Sequence, residues 1–408
     1  MVDMGATTRN AASRRDHARG DAAIAGPIVD IRPADDVAMA QYEAFCVKAV
    51  HGAPQHPLWI RAWVMAAGAD AITVTLHRNG RAAVALVLEI TRKGPFRVAS
   101  FPAGQHANGN FVACAAGLDG PLTGDDVRAL ERAIRAARPD IDLIELERQK
   151  PHLDGKANPL GGFATMQSPN ISLATDLSGG MEATLDRMNG KRKRKKYRAQ
   201  LRKLEAAGGH RWFEAKTAED VDRLMNAFYT LKAARFRKRG IPDVFAQAEV
   251  KAFFRSLFIE ALEQSPPPFT LYGLEVAGEI HNVKGFSVIS NGLISEFCAM
   301  RDDDRSLSPG FFLDYEVMQE SCAKGMTIYD FSVGDEEYKR SWCDIETWFF
   351  ETLLPLTAKG RMLFAYKVAR ARAVGFVKSN KALWDLARRV RTRLGGGTAA
   401  TSETGKDG

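Results

Sequence analysis

Apolar positions in this chain recur at helical spacing in Val37 to Val50 and Leu58 to Ala67, then switch to strand-like runs in Ala71 to His77 and Ala82 to Thr91 around Asn79-Gly80. That pattern predicts a helix pair feeding a hairpin. Arg97 to Phe101 continues the sheet, a Gly/Asn-rich loop covers Gly104 to Asn110, and a helix over Asp125 to Ala137 leads to a strand over Ile141 to Glu147. Pro151 to Pro169 reads as a connector. The same order then returns: helices over Ala218 to Lys238 and Phe245 to Glu263, and strands over Phe269 to Val276, Ile280 to Ile289 and Leu293 to Met300. A loop ending in Ser308-Pro309-Gly310 opens a helix over Phe311 to Lys324, Gly325 stops it, and strands start at Thr327 and Thr347. Matching element order without residue identity predicts a structural duplication.

A chain of 408 residues exceeds what one core usually covers, so two domains are expected, at 27–170 and 171–355. Residues 1–26 read as a disordered leader, because Arg14-Arg15 is followed by Asp16, His17, Arg19 and Asp21 where an export signal needs an apolar run. Residues 356–394 form a basic amphipathic helical extension, with ten Lys/Arg and only Asp385 as acid between Arg361 and Arg393. It reads either as a helix pair docked on the catalytic domain or as a peripheral membrane contact through Trp384 and neighbouring leucines. Residues 395–408 are a polar, disordered tail.

Cys46, Cys114, Cys298, Cys322 and Cys343 are odd in number and lack C-x-x-C spacing, which argues against a disulfide framework or a zinc site and fits a reducing cytoplasm. No run is long and apolar enough to span a bilayer. The net charge of +8 implies an anionic partner, and the run Lys191 to Lys203 concentrates it, with nine basic residues in thirteen and no acid. Leu185, Met188, Tyr197, Leu201 and Leu204 give this run a partial apolar stripe. The basic face is either simply solvated or a surface for an anionic acceptor or phosphate-bearing lipid. A nucleic-acid partner is not expected, because no aromatic platform or DNA- or RNA-binding signature accompanies the charges.

Chemistry concentrates in two places. At Arg305-Ser-Leu-Ser-Pro-Gly310 a helix begins after a strand, so its unpartnered amides and dipole suit a pyrophosphate; an ordinary Ser-capped helix with Pro at N1 is the plainer reading. Arg305, Ser308, Pro309, Gly310 and Phe311 are the candidate binding residues. In Asp330-Phe-Ser-Val-Gly-Asp-Glu-Glu-Tyr338-Lys339, Gly334 frees the chain to turn at a strand end. Transfer of an acyl group from a thioester needs a base, oxyanion stabilisation and a proton for the thiolate. Glu296, mid-strand, is the candidate base, and Tyr338 the candidate acid. Asp330 either orients a base or satisfies neighbouring backbone. His281 and His106 lack metal-ligand spacing and no metal is expected; Gln105 and His106 are placed in the cleft between the halves, and Trp342 in the site wall.

These segments resemble the GNAT acyltransferase superfamily, whose pyrophosphate loop reads Arg/Gln-x-x-Gly-x-Gly/Ala. Arg305, Ser308 and Gly310 occupy its fixed positions, with Ser308 in place of the first glycine. With Gly334-x-x-x-Tyr338-Lys339 and Trp342 added, residues 27–355 resemble the CelD-like branch found in bacterial exopolysaccharide and cellulose clusters, related to Fem-type peptidoglycan transferases. The resemblance implies an α/β fold of duplicated GNAT architecture, two mixed-sheet domains with flanking helices, the second half binding acyl-CoA, acetyl-CoA by default. It implies acyl transfer to an amine or hydroxyl on a sugar or polysaccharide precursor, and a Lys339 directed at substrate phosphate or developing negative charge. The rivals are Fem-type transfer from aminoacyl-tRNA and a non-catalytic sensing or scaffolding module.

Overall fold

The computed structural model describes residues 26–301 and 306–379. The first half contains β1 (Ile28–Pro33), α1 (Asp36–Cys46), β2 (Ala49–Val50), α2 (Pro57–Ala67), β3 (Ala71–Arg78), β4 (Arg81–Lys93), β5 (Phe96–Ser100), β6 (Ala113–Ala115), α3 (Gly124–Ala137) and β7 (Leu143–Gln149). A small hairpin of β8 (His152–Leu153) and β9 (Lys156–Ala157) precedes β10 (Met166–Asp176), α4 (Gly180–Arg187) and α5 (Gly190–Ala206). The second half contains β11 (His210–Glu214), α6 (Ala218–Arg239), α7 (Ala248–Ala261), β12 (Phe269–Val276), β13 (Glu279–Ile289), β14 (Gly292–Met300), α8 (Pro309–Ala323), β15 (Ile328–Val333) and α9 (Glu337–Arg340). It ends in β16 (Ile345–Pro355) and α10 (Ala358–Ser379).

Local chemistry sets these boundaries. Asn79 and Gly80 both take positive φ, as a tight hairpin turn requires. The Thr123 hydroxyl and Asp126 carboxylate form a reciprocal capping box at the start of α3. Gly68 and Gly240 end α2 and α6 in the left-handed conformation.

The main sheet runs β1-β3-β4-β5-β7-β16-β10-β15-β14-β13-β12-β11, which reads the same from both ends once the two halves are matched. β5 pairs parallel with β7, as β14 does with β15, and α3 and α8 make the two crossovers. The last strand of each unit is exchanged. β10 follows the first unit but pairs with β15 of the second, and β16 follows the second unit but pairs with β7 of the first. β10 spans residue 170, where the composition suggested a domain boundary, with an irregular register between Gln167 and Ile171. β1, β10 and β11 lie in segments too short or too interrupted by Pro and Asn for the periodicity to reveal.

The helices continue the exchange. Trp59 and Trp63 of α2 pack edge-on against Phe253 of α7, with ring centroids 4.9 and 5.4 Å apart, so one apolar core contains both halves. A second core lies over the first half of the sheet and a third beneath α8. On α10, Leu363 packs with Val98, Leu143 and Leu353, and Lys367 reaches Glu145. The described part of the basic extension is thus docked on the sheet, while Trp384 and the basic positions after 379 lie outside the described residues, as do 1–25 and the tail. Among the described residues no helix is long and apolar enough to cross a membrane. Exchanged strands and a shared core tie the halves into one cooperative unit. Calorimetric unfolding should show a single transition, and two separated transitions would contradict this reading.

Candidate active site

β14 and β15 pair only through Gly292–Ile328, Leu293–Tyr329 and Ile294–Asp330, and then part. The cause is visible one strand away. Gly285 faces Phe297 and Phe286 faces Ser295, so Glu296 is the extra residue of a bulge that bends β14 and re-aims its side chain. Glu296 is 6% exposed, and its carboxylate accepts from Ser287 Oγ at 2.7 Å and from the Asn108 amide at 3.1 Å. Asn108 belongs to the Gly/Asn loop of the first half, and its Nδ2 also donates to Ser295 O at 3.0 Å. Burial raises the Glu296 pKa to about 7, against the lowering effect of these two donors and Lys150, while Asp330 adds to the rise. A carboxyl poised there can take a proton at neutral pH.

Beside it, Asp330 receives hydrogen bonds from Ser172 Oγ and the Ser332 amide, each at 2.7 Å, and a buried ion pair from Lys150. Asp330 thus satisfies local backbone and holds Ser172 and Lys150 beside Glu296. Ser332 takes a φ of 70° and donates to Asn108 O at 3.3 Å, which ties the turn to the same loop.

Lys339 departs from expectation. It is 5% exposed and donates to Val333 O at 2.6 Å and Ser332 O at 3.4 Å, with Glu336 3.0 Å away. Its ammonium holds the Gly334 turn closed rather than meeting a substrate phosphate. Tyr338 is 50% exposed, its ring beside Phe331, and desolvation first, then Cys298 and Asp314, push its phenol pKa up, so the proton stays available. Trp342 is buried, stacks on Phe311 at 5.5 Å, and carries Lys193 Nζ 4.1 Å above its ring. Burial and the neighbouring cations Lys196 and Arg192 lower the Lys193 pKa to about 8.

The start of α8 lies at the edge of the parted strands. Ser308 makes no side-chain cap; its amide donates to Gln200 Oε1 at 2.8 Å, and its carbonyl accepts from Phe312 at 3.1 Å. Pro309 has no N–H, so Gly310 and Phe311 carry the amides without an intrahelical partner. A Cβ on Gly310 would sit 3.1 Å from Met300. Arg305 lies outside the described residues.

His106 does not line the cleft. It is buried among Trp63, Phe245 and Phe254 at 6.1, 5.6 and 5.9 Å, and burial, then Arg148, lowers its pKa to about 4. Gln105 is exposed, with Nε2 3.2 Å from His106 Nε2. The first half's own fork is filled: β5 and β7 part after Val98–Leu143 and Ala99–Ile144, and Asn110 bridges to Gln149 in the gap. Among the described residues, the fork that stays open is the one in the second half.

Sequence reasoning missed Asn108, Lys150, Ser287 and Gln200. The only signal was positional, Asn108 in a loop of close glycines and Lys150 at the carboxyl end of a parallel strand. Among the described residues no cluster of His, Cys, Asp or Glu is arranged to hold a metal.

Residues 191–340 match the family profile described as Acetyltransferase (GNAT) domain, a segment that contains α5, the fork and the start of α8. The fold as a whole is a duplicated GNAT fold. It is similar to the crystal structure of FemX at a TM-score of 0.52 and 11% identity, covering 79% of this chain and 97% of that one. The C-terminal domain of a putative lysylphosphatidylglycerol synthetase from Agrobacterium fabrum gives 0.48 at 11% identity, covering 84% and 97%. A tandem GNAT protein from the clavulanic acid biosynthesis pathway gives 0.44 at 12% identity, covering 81% and 99%. No curated protein matches the sequence.

Lys150→Met leaves Asp330 buried without its cation and should cost about 3–5 kcal/mol in urea unfolding; a loss under 1 kcal/mol would mean the pair is not buried as described. Because Glu296 has a raised folded pKa, the stability from its protonated form is full below its unfolded value and is lost as pH rises through about 7. Glu296→Gln should therefore gain on wild type by about 3 kcal/mol between pH 4.5 and 8. A pH-independent difference would rule out a buried, titrating carboxyl.

Proposed function

We propose that the chain transfers an acyl group, acetyl by default, from acyl-CoA to an amine or hydroxyl acceptor, using Glu296 as general base and Tyr338 as general acid. The observation that carries this reading is the juxtaposition of a bulged, buried Glu296 with the fork of β14 and β15 and the two unpartnered amides at the start of α8. The Gly310 and Phe311 amides hold the diphosphate of the cosubstrate. The Glu296 carboxylate removes a proton from the acceptor as its nitrogen or oxygen bonds to the thioester carbonyl carbon. The carbon–sulfur bond breaks, and the Tyr338 phenol protonates the departing thiolate. Tyr338 recovers its proton from solvent through its exposed side.

A sugar on an exopolysaccharide or envelope precursor is the acceptor that the CelD-like resemblance favours. Fem-type transfer from aminoacyl-tRNA is the second reading, favoured by the FemX-like fold and by the outward face of α5, where Lys191, Lys195, Arg198 and Arg202 form an exposed stripe.

Titration calorimetry with acetyl-CoA, CoA and longer acyl-CoAs tests the first step. Wild type should bind, and Gly310→Glu, which sets bulk and negative charge at the amides, should not while remaining folded; absence of binding by wild type would favour the aminoacyl-tRNA reading. With an acceptor found by panel screening, kcat/KM should rise with pH through about 7, and Glu296→Gln should lower it about 10²–10⁴-fold. Undiminished turnover in Glu296→Gln would remove Glu296 as the base.

A further inference from the structure

We propose that α5 is a wall of the cosubstrate site, its inner edge of Arg192, Lys196 and Lys203 taking the ribose phosphate of the CoA nucleotide and so selecting CoA thioesters over dephospho-CoA thioesters. This rests on the acyl-CoA reading above.

α5 is tied to the start of α8 along one edge. Lys203 Nζ donates to Ser306 O at 2.9 Å, Gln200 accepts from the Ser308 amide at 2.8 Å, and Lys196 Nζ lies 4.5 Å from the centre of the Phe311 ring. Positions 192, 196, 200 and 203 share this edge at i, i+4, i+8 and i+11, a span of about 16 Å at 1.5 Å per residue. Lys196 and Arg192 have no acidic partner among the described residues. By contrast Arg194, on another side of the helix, is neutralised by Glu182 and Asp186. The helix thus keeps uncompensated cations where the amides of Gly310 and Phe311 open.

The floor of the same place supplies an independent sign of a ligand. Asn282 is fully buried on β13, its Oδ1 is engaged by the Cys298 thiol at 3.5 Å, and its Nδ2 has no hydrogen-bond partner. That Nδ2 lies 3.7 Å from where a Cβ of residue 310 would sit, so it faces the start of α8. A buried donor left unpaired is costly, and an oxygen of a bound diphosphate satisfies it. Two amides and the Asn282 Nδ2 then address the diphosphate, and the α5 edge addresses the remaining phosphate, whose monoester charge suits lysine and arginine.

The test is calorimetric affinity of the full chain for acetyl-CoA and for 3′-dephospho-acetyl-CoA, with wild type, Lys196→Glu and Arg198→Glu. Arg198 lies on the exposed outward face of the same helix, so its variant changes net charge equally without touching the inner edge. Wild type should prefer acetyl-CoA by about tenfold or more, Lys196→Glu should lose that preference, and Arg198→Glu should keep it. Equal binding of the two ligands by wild type, or equal losses in both variants, overturns the wall while leaving the acyl-CoA reading intact. Failure of wild type to bind either ligand overturns both.

Discussion

Everything at the site hangs on the buried pair of Lys150 and Asp330. Two charges removed from water are stabilising only when each is fully hydrogen-bonded, and Asp330 meets that condition with Ser172, the Ser332 amide and Lys150 together. The pair fixes the end of β7 against β15, across the seam between the halves. The loop above it follows: a Cβ on Gly109 would lie 2.6 Å from Lys150 Cε, so a larger residue there would displace the lysine stem from its place beside Asp330. The crossing delivers the Asn108 amide to Glu296.

Strand exchange makes this arrangement durable. With β16 inserted beside β7 and β10 beside β15, neither half completes its sheet without the other, and the α2–α7 aromatic packing adds a shared apolar core. The first half has thereby become a support. Its own fork is filled by Asn110, and its loop holds the Glu296 carboxylate of the second half.

The parts of the fold visible in sequence are those governed by local periodicity. The α2, β3, β4 series and the α6 to β14 series announce themselves through apolar spacing and Asn-Gly or Ala-Gly turns, and the duplication follows from their repeated order. Glu296 is found as a carboxylate in a strand before a helix start. That it faces inward depends on a one-residue bulge opposite Gly285 and Phe286, which no period reveals. Lys339 misled for a related reason: a lysine beside a glycine turn reads as an exposed cation, whereas its long stem folds back to cap Val333 and Ser332. Asn108 and Lys150 act on residues about 180 positions away, so their roles come from tertiary pairing alone.

The central claim is that assembly of the two halves buries Glu296 and poises it to exchange a proton near neutrality. Difference infrared spectroscopy of the carboxyl band, wild type against Glu296→Gln across pH 5 to 9, measures this directly and needs no knowledge of the acceptor. The account predicts a buried carboxyl whose protonated band disappears with a midpoint near 7 in wild type and is missing in the variant. A Glu296 carboxylate already ionised at pH 5, or one still protonated at pH 9, would contradict it.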